Sequence, residues 1–171
     1  MLNQLITSKT RLRLLIKFFI SQANRGYLNG LANEFNESTN SIRKELNHLS
    51  EAGYLEKYKD NNKVGYKANT NHPLFETLQK VVFKHLGLED IVEHVLAQMG
   101  AVQQIHLTGD YAKGLDTGMI EVVLVGNKLN IEYISNLEEK IESLIERKVN
   151  FFIVNKTPPS MVSILLYNKG E

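Results

Sequence analysis

The chain has 171 residues, enough for one large domain or two small ones. Hydrophobic residues make up 43% of the sequence, as in an ordinary globular protein, and the absence of cysteine excludes disulfides and thiolate metal sites. The apolar run LRLLIKFFI is interrupted by Lys17 and is not followed by a small-residue cleavage site. We therefore expect a cytoplasmic protein that has no membrane partner.

Charge is distributed unevenly along the chain. Residues 1–70 contain 11 Lys and Arg against 6 Asp and Glu, a net charge of +5, whereas residues 71–171 contain 9 against 13, a net charge of −4. A basic first half and an acidic second half are typical of a nucleic-acid-binding module joined to a unit with another role. An asymmetry of this size can also arise by chance.

Two helices are predicted before residue 36. Ser8 is a suitable N-cap for the segment TRLRLLIKFFISQ, whose apolar residues surround the helix almost completely. Such a helix lies at the centre of a core or is shared with a partner. The segment from Tyr27 to Phe35 has apolar residues spaced i, i+3, i+4 and i+7, which predicts a second, shorter helix.

A third helix is predicted from about Ser38 to Ala52, and Gly53 is suited to end it. At about 100° per residue, its side chains separate into two faces. The apolar face carries Ile42, Leu46 and Leu49, and the polar face carries Asn40, Lys44 and Asn47. The short turn between the second and third helices matches helix-turn-helix geometry, although other helical hairpins share this pattern.

A β-hairpin is predicted directly after the third helix. Residues 54–58 and 64–68 alternate like strands, and the turn-rich segment 60–63 connects them. The hairpin carries four lysines, Lys57, Lys59, Lys63 and Lys67. Lysines in this position suit phosphate contacts, which need charge rather than base-specific geometry, but they can also protect the edge of a solvated hairpin.

The run GLANEFNESTNSIRKELNHLSEAGYLEKYKDNNKVGYKANTNHPLF resembles the winged helix-turn-helix domain of small bacterial transcriptional regulators of the ArsR/MarR class. The resemblance covers about residues 8–70. It implies that the third helix enters the major groove of DNA and that the hairpin is the wing. The arsenic-sensing chemistry of the class is not implied, because the chain has no cysteine.

The candidate DNA contacts follow from this arrangement. Arg43 can pair bidentately with guanine, and Asn40 or Asn47 can pair with adenine. Thr39 and the hairpin lysines are expected to bind phosphates, whereas His48 lies near the same side but is equally suited to be a surface histidine. The complete candidate set is Ser38, Thr39, Asn40, Ser41, Arg43, Lys44, Asn47, His48, Lys57, Lys59, Lys63 and Lys67.

The second half of the chain begins with a predicted helical connector. His72-Pro73 opens a helix with proline at its first position, Gly87 ends it, and residues 89–99 form another amphipathic helix that offers a dimer surface. From residue 103 onwards the period changes, and the predicted order is βαβαββ. This order describes a small α/β layer that needs a helix face or a partner to cover its sheet.

The segment LTGDYAKGLDTGMIEVVLVG resembles the core motif of the polymerase-β-like nucleotidyltransferases, over about residues 103–155. In that family a strand leads into G-S-x-A-x-G, and a D-x-D strand follows after a short gap. The resemblance implies a glycine turn that presents N–H groups to a triphosphate and two carboxylates that hold Mg²⁺.

The chemical positions of that motif are altered here. Asp110 replaces the serine, Met119 replaces the first metal carboxylate, and the longer Glu121 replaces the second. Asn150 is in the strand expected to supply a third carboxylate, and Asp116 lies in the loop, out of register. We therefore expect a non-catalytic unit with no metal and no cofactor. Its vestigial nucleotide site would consist of Gly109, Asp110, Gly114 and Glu121.

An alternative for this half is an unrelated α/β module for dimerisation or packing. In that case Asp110, Asp116 and Glu121 would cap turns or lie in solvent. The five histidines share no spacing typical of metal ligands.

Together these patterns predict an α+β protein with a winged helix-turn-helix at residues 1–70, a helical connector at 71–100 and a degenerate nucleotidyltransferase-like domain at 101–171. The expected function is sequence-specific regulation of transcription by a homodimer on double-stranded DNA. The second domain would serve dimerisation, binding of a small-molecule effector, or contact with a protein. Two alternatives remain: a nucleotidyltransferase targeted by its winged helix, and a winged helix that binds protein instead of DNA.

Overall fold

The computed structural model describes residues 2–170 and shows, within that range, an α+β protein with seven α-helices and two β-sheets. The predicted α+β class is confirmed. The chain divides into two compact units, of which the first ends at Val82 and the second begins at Phe83. This boundary falls inside a helix, α4 (Phe75–Leu86), within the stretch predicted as a connector.

The first unit contains three helices and a three-stranded antiparallel sheet. A short 3-10 helix, Leu2–Gln4, precedes α1 (Lys9–Phe19), α2 (Leu28–Phe35) and α3 (Thr39–Glu51). The strands are β1 (Gly26–Tyr27), β2 (Leu55–Asp60) and β3 (Lys63–Ala68), in the order β1-β3-β2. The two-residue strand β1 was not predicted. Tyr27, predicted as helical, lies in β1 and immediately precedes α2.

Helix α1 lies at the centre of the first unit. The Ser8 hydroxyl accepts a hydrogen bond from the N–H of Arg11 at 3.2 Å, which confirms the predicted N-cap. Apolar residues on all sides of the helix are buried, including Leu14 and Phe18 at 0% exposure. The helix ends at Phe19, earlier than predicted, and the Asn24 side chain donates to the free carbonyl of Lys17 at 2.8 Å.

The ends of α2 and α3 are set by residues with positive φ. Asn36, with φ 51°, ends α2 and leads into the N-cap of α3 at Ser38. At the other end of α3, the N–H groups of Gly53 and Tyr54 donate to the carbonyls of Ser50 and Leu49 at 3.0 and 2.9 Å. The chain then passes directly into β2, so the predicted helix–hairpin succession is confirmed.

The second unit is built on a four-stranded mixed sheet. Its strands are β4 (Val102–Thr108), β5 (Met119–Gly126), β6 (Lys148–Val154) and β7 (Ile164–Asn168), in the order β6-β5-β4-β7. Strand β5 is parallel to β6, and the other pairs are antiparallel. The helices are α5 (Leu88–Gln98), the four-residue α6 (Gly109–Ala112) and α7 (Ile134–Ile145). The predicted order βαβαββ is confirmed.

Two predicted details of the helices were wrong. Pro73 is not the first residue of a helix but lies in the turn before α4, where the His72 ring accepts the N–H of Leu74 at 3.1 Å. The spacing of apolar residues in the segment 130–147 predicts a helix from Asn130 to Arg147. Helix α7 instead begins at Ile134, because the intervening Ile131–Tyr133 forms a 3-10 turn.

Alternation along β5 separates the two faces of this sheet. Ile120, Val122 and Leu124 are completely buried and belong to the core of the second unit. Met119 lies on the opposite face and is 46% exposed. On β6, Phe152 pairs with Val123 on that same face and is 43% exposed. Met119 and Glu121, two of the positions singled out in the sequence, therefore lie on the less covered face.

Candidate nucleic-acid interface

Helix α3 presents the polar face that its sequence predicts. Asn40, Arg43 and Lys44 are exposed and Asn47 is half-buried. On the other side, Ile42 and Leu46 are completely buried, and Leu49 is 6% exposed. The 3.6-residue period fixes this division because buried positions recur every three or four residues.

The acidic residues beside this polar face are engaged with α1. Glu45 is 6% exposed and forms an ion pair with Arg11 at 2.8 Å, while Ser8 donates to its other oxygen at 2.9 Å. Burial raises the pKa of Glu45, but the hydrogen bonds from Arg11 and Ser8 outweigh burial and hold that pKa below its usual range. Glu37, just before α3, pairs with Arg13 at 2.7 Å. The other acid of α3, Glu51, is its last residue.

The first turn of α3 holds two local pairs. Ser38 accepts the N–H of Ser41 at 3.2 Å, and the two hydroxyl oxygens are 3.0 Å apart. The Ser38 hydroxyl therefore caps the helix, and the Ser41 hydroxyl contacts it. Two residues further along, Arg43 donates to the Asn40 side-chain oxygen at 3.1 Å. Asn40 and Arg43 thus form one surface pair that offers amide and guanidinium donors, and the exposed Thr39 precedes them.

His48 lies towards α1. Its Nδ1 atom is 3.4 Å from an Arg11 nitrogen and 3.8 Å from a carboxylate oxygen of Glu45. The structure therefore places this predicted contact residue beside an ion pair, at the margin of the face that carries Asn40 and Lys44.

The hairpin lysines have different surroundings. Lys57, Lys59 and Lys63 are exposed, and Lys67 is half-buried. Lys67 pairs with Glu56 at 3.5 Å. The ammonium groups of Lys57 and Lys63 lie 5.9 and 6.0 Å from the ring centres of Tyr66 and Tyr27, within cation–π range.

Tyr58 of the hairpin contacts Tyr27 of the neighbouring strand β1, a contact that no sequence pattern indicated. Tyr27 donates to Asp60 at 2.5 Å and accepts from the Tyr58 hydroxyl at 3.4 Å. The hydrogen bond to Asp60 raises the pKa of Tyr27, and the contact with Tyr58 adds to this effect. A Cβ added at Gly65 would lie 2.2 Å from the Tyr58 ring, so the ring packs directly against the backbone of Gly65. A glycine inside a strand is the feature that indicates such an approach.

Of the four residues predicted as a vestigial nucleotide site, the structure brings Gly109 and Glu121 into contact. Glu121 pairs with Thr108 on one side and with Asn150 on the other in the strand register. A Cβ added at Gly109 would meet a Glu121 carboxylate oxygen at 1.8 Å, so this carboxylate lies directly against the glycine turn. Asp110 is exposed, and the backbone N–H of Gly114 donates to the Tyr111 carbonyl at 3.0 Å.

Asp116 lies in an exposed segment, but its carboxylate is engaged with other side chains rather than free in solvent. It accepts two hydrogen bonds from Arg147, at 2.8 and 3.1 Å, and a third from the hydroxyl of the fully buried Tyr111. Burial raises the pKa of Asp116, but the bonds from Arg147 and Tyr111 outweigh burial and hold that pKa below its usual range. The pair is separated by 31 residues, so no local pattern indicated it.

Comparisons with protein-family models, with curated protein sequences and with solved structures gave no match to this chain. Among residues 2–170, no group of three or more His, Asp or Glu side chains is arranged to hold a metal ion. None of the described helices combines the length and apolar character that crossing a lipid bilayer requires.

Proposed function

We propose that this protein is a sequence-specific DNA-binding regulator of transcription, with α3 as the recognition helix and the β2–β3 hairpin as the wing of a winged helix-turn-helix. One observation carries the proposal. The exposed face of α3 offers Arg43, Lys44 and two asparagine side chains, while Glu37 and Glu45 are held by arginines of α1. DNA, with its phosphates and base edges, is the partner that matches cations and amides free of competing carboxylates.

Within this proposal the residues of α3 have separate roles. Arg43 suits a bidentate contact with guanine, and the amides of Asn40 and Asn47 suit adenine, each correct pair contributing about 1–3 kcal/mol of discrimination. Lys44 and Thr39 suit phosphates, which set position rather than sequence preference. The hydrogen bond between Arg43 and Asn40 supports this assignment because it holds two base-contacting groups in one arrangement.

Fluorescence-anisotropy titration of labelled duplex DNA tests the proposal. We expect the double variant Arg43→Ala/Lys44→Ala to bind at least tenfold more weakly than the unmodified chain, because two cations at the groove are lost. The matched control is Lys113→Ala/Lys140→Ala, which removes the same charge from exposed positions of the second unit. Equal losses in both variants would contradict a role for α3.

A protein-binding winged helix gives a different outcome. Such a module would show no salt-sensitive binding to duplex DNA, and the α3 variant would leave its protein contacts unchanged. Titration of the same duplex at several salt concentrations therefore separates the two possibilities.

We also propose that the second unit is nucleotidyltransferase-like but non-catalytic, and that it serves dimerisation, effector binding or partner contact. Met119 supports this because a thioether is a poor ligand for Mg²⁺. Glu121 supports it as well, since its carboxylate lies against Gly109, where the family's phosphate-binding turn is expected. Mg²⁺-dependent transfer of label from a nucleoside triphosphate to the protein or a partner would establish the enzymatic alternative instead.

A further inference from the structure

The β2–β3 hairpin has two chemically different faces. Directly paired residues share a face of a sheet, and successive residues alternate between faces. The pairs 55–68, 57–66 and 59–64 therefore form one face, and the pairs 56–67, 58–65 and 60–63 form the other. We name the first the lysine face, after Lys57 and Lys59, and the second the tyrosine face, after Tyr58 and its contact with Tyr27.

The lysine face carries positive charge alone. Its six residues are Leu55, Lys57, Lys59, Val64, Tyr66 and Ala68, and none of them is acidic. Leu55, Tyr66 and Ala68 are buried at the base of the hairpin, whereas Val64 is 49% exposed near the tip. Lys57, opposite Tyr66, and Lys59, opposite Val64, are both exposed, and no carboxylate on the same face neutralises them. The one contact of Lys57 on this face is with the ring of Tyr66, at 5.9 Å, which leaves its charge in place.

The tyrosine face is neutral. It carries Lys63 and Lys67 but also Glu56 and Asp60, so its charges cancel. Lys67 is paired with Glu56 at 3.5 Å, and Lys63 lies 6.0 Å from the Tyr27 ring centre. Asp60 is held by the Tyr27 hydroxyl at 2.5 Å. Each lysine of this face is therefore directly opposite a carboxylate in the strand register, Lys67 opposite Glu56 and Lys63 opposite Asp60, which neither Lys57 nor Lys59 is.

We infer that the wing binds the DNA backbone through the lysine face, with Lys57 and Lys59 on phosphates, and that Lys63 and Lys67 instead stabilise the hairpin. This inference rests on the proposed function and reduces the number of hairpin lysines expected to bind phosphate from four to two. Phosphate binding releases condensed counterions in proportion to the cations engaged, so a neutral face contributes little.

Two variants with the same charge change test the inference. We expect Lys57→Gln/Lys59→Gln to weaken duplex binding about tenfold near 0.1 M salt. The plot of the logarithm of the binding constant against the logarithm of the salt concentration has a negative slope, and its magnitude should fall by about 2. We expect Lys63→Gln/Lys67→Gln to change affinity less than about threefold and to leave the slope unchanged. Thermal melting of both variants verifies that each is folded at the assay temperature.

The outcomes separate this inference from the function on which it rests. Suppose that the unmodified chain binds duplex DNA, that the α3 variant does not, and that the two lysine double variants lose affinity equally. The assignment of phosphate binding to the lysine face is then wrong, and the proposed function is unaffected. A larger loss for Lys63→Gln/Lys67→Gln would also overturn the inference. If the unmodified chain shows no salt-dependent binding to any duplex, the proposed function fails, and the inference fails with it.

Discussion

Single side chains decide which charges each unit presents to its surroundings. Glu45 is held by Arg11, and Asp116 is held by Arg147 and Tyr111. Both carboxyl groups have a pKa below the usual range. A group of this kind stabilises the fold above its unfolded-state pKa, and the stabilisation is lost as the pH falls through its lower, folded-state pKa.

Replacing Asp116 should therefore destabilise the second unit in a pH-dependent manner. We expect Asp116→Asn to lower the free energy of unfolding by about 2 kcal/mol at pH 7, because a charged hydrogen-bond acceptor of Arg147 and Tyr111 is lost. The difference from the unmodified chain should shrink as the pH falls from the unfolded-state pKa, about 4, through the lower pKa of the native carboxylate. Urea denaturation at several pH values measures both effects.

The control for this prediction is Asp110→Asn, which changes the same charge at an exposed position of α6, in the same connection between β4 and β5. A surface change of this kind should stay within about 0.5 kcal/mol. Equal effects of the two substitutions, or an Asp116→Asn effect independent of pH, would show that the ion pair contributes nothing specific.

Tyr27 should stabilise the hairpin through Asp60. We expect Tyr27→Phe to lower the melting temperature of the protein, because the hydroxyl that donates to the Asp60 carboxylate is lost. In an Asp60→Asn background the same substitution should have a smaller effect. Thermal melting of the two single variants and the double variant completes this cycle. An equal fall in both backgrounds would show that the Tyr27 hydroxyl does not act through Asp60.

At the scale of elements, α7 protects the edge of the second sheet. Strand β6 is an edge strand, and its outward N–H groups at Val149 and Phe151 donate to Glu142 and Glu138 of α7 at 3.0 and 3.3 Å. Glu142 also binds Lys148 at 2.8 Å. Unpaired N–H groups on an edge strand can form hydrogen bonds with a strand of another chain. The two glutamates accept hydrogen bonds from these N–H groups, as a neighbouring strand would.

Removing one of these glutamates should expose the edge. We expect Glu142→Ala to lower the free energy of unfolding by about 1 kcal/mol and to increase concentration-dependent association, because the N–H of Val149 loses its acceptor. Glu139→Ala is the control, since it removes the same charge from an exposed position of α7. Chemical denaturation and light scattering measure the two effects, and identical behaviour of the variants would refute edge protection.

The elements were predictable wherever a periodic pattern extended over several turns. The 100° period of α3 located its buried and exposed faces, and alternation located β4, β5 and β6. The strand β1 was missed because two residues carry no period, and Pro73 was misplaced because a proline N1 position resembles a turn. Caps such as Ser8 were predictable because their hydrogen bonds reach only three residues along the chain.

The candidate interface was predictable as a set of positions but not in its contacts. Arg11 and Glu45 are 34 residues apart, and Tyr27 and Asp60 are 33 apart. Such pairs depend on how the elements pack, which a single sequence does not specify. The alternation of β2 and β3 divides the four lysines between two faces and puts Glu56 and Asp60 on the face of Lys63 and Lys67. It does not indicate the contacts of these carboxylates with Lys67 and Tyr27, which depend on the strand register and on β1.

At the scale of the whole molecule, charge separates the two units. Residues 1–70, with a net charge of +5, contain the proposed recognition helix and wing, and residues 71–171 have a net charge of −4. An acidic second unit repels the DNA backbone, so contact with the duplex should be confined to the first unit. This distribution of charge fits the proposed regulator, in which one unit binds DNA and the other has a separate role.

Selection of duplexes from a random library by the full-length chain tests the central claim most directly. We predict enrichment of one motif, arranged as two symmetric half-sites about one helical turn apart if the protein binds as a homodimer. The same selection with Arg43→Ala should lose preference at defined base pairs within each half-site, while the remaining positions stay unchanged. Recovery of no motif above the input library would contradict sequence-specific binding, and an unchanged motif with Arg43→Ala would contradict recognition through Arg43 of α3.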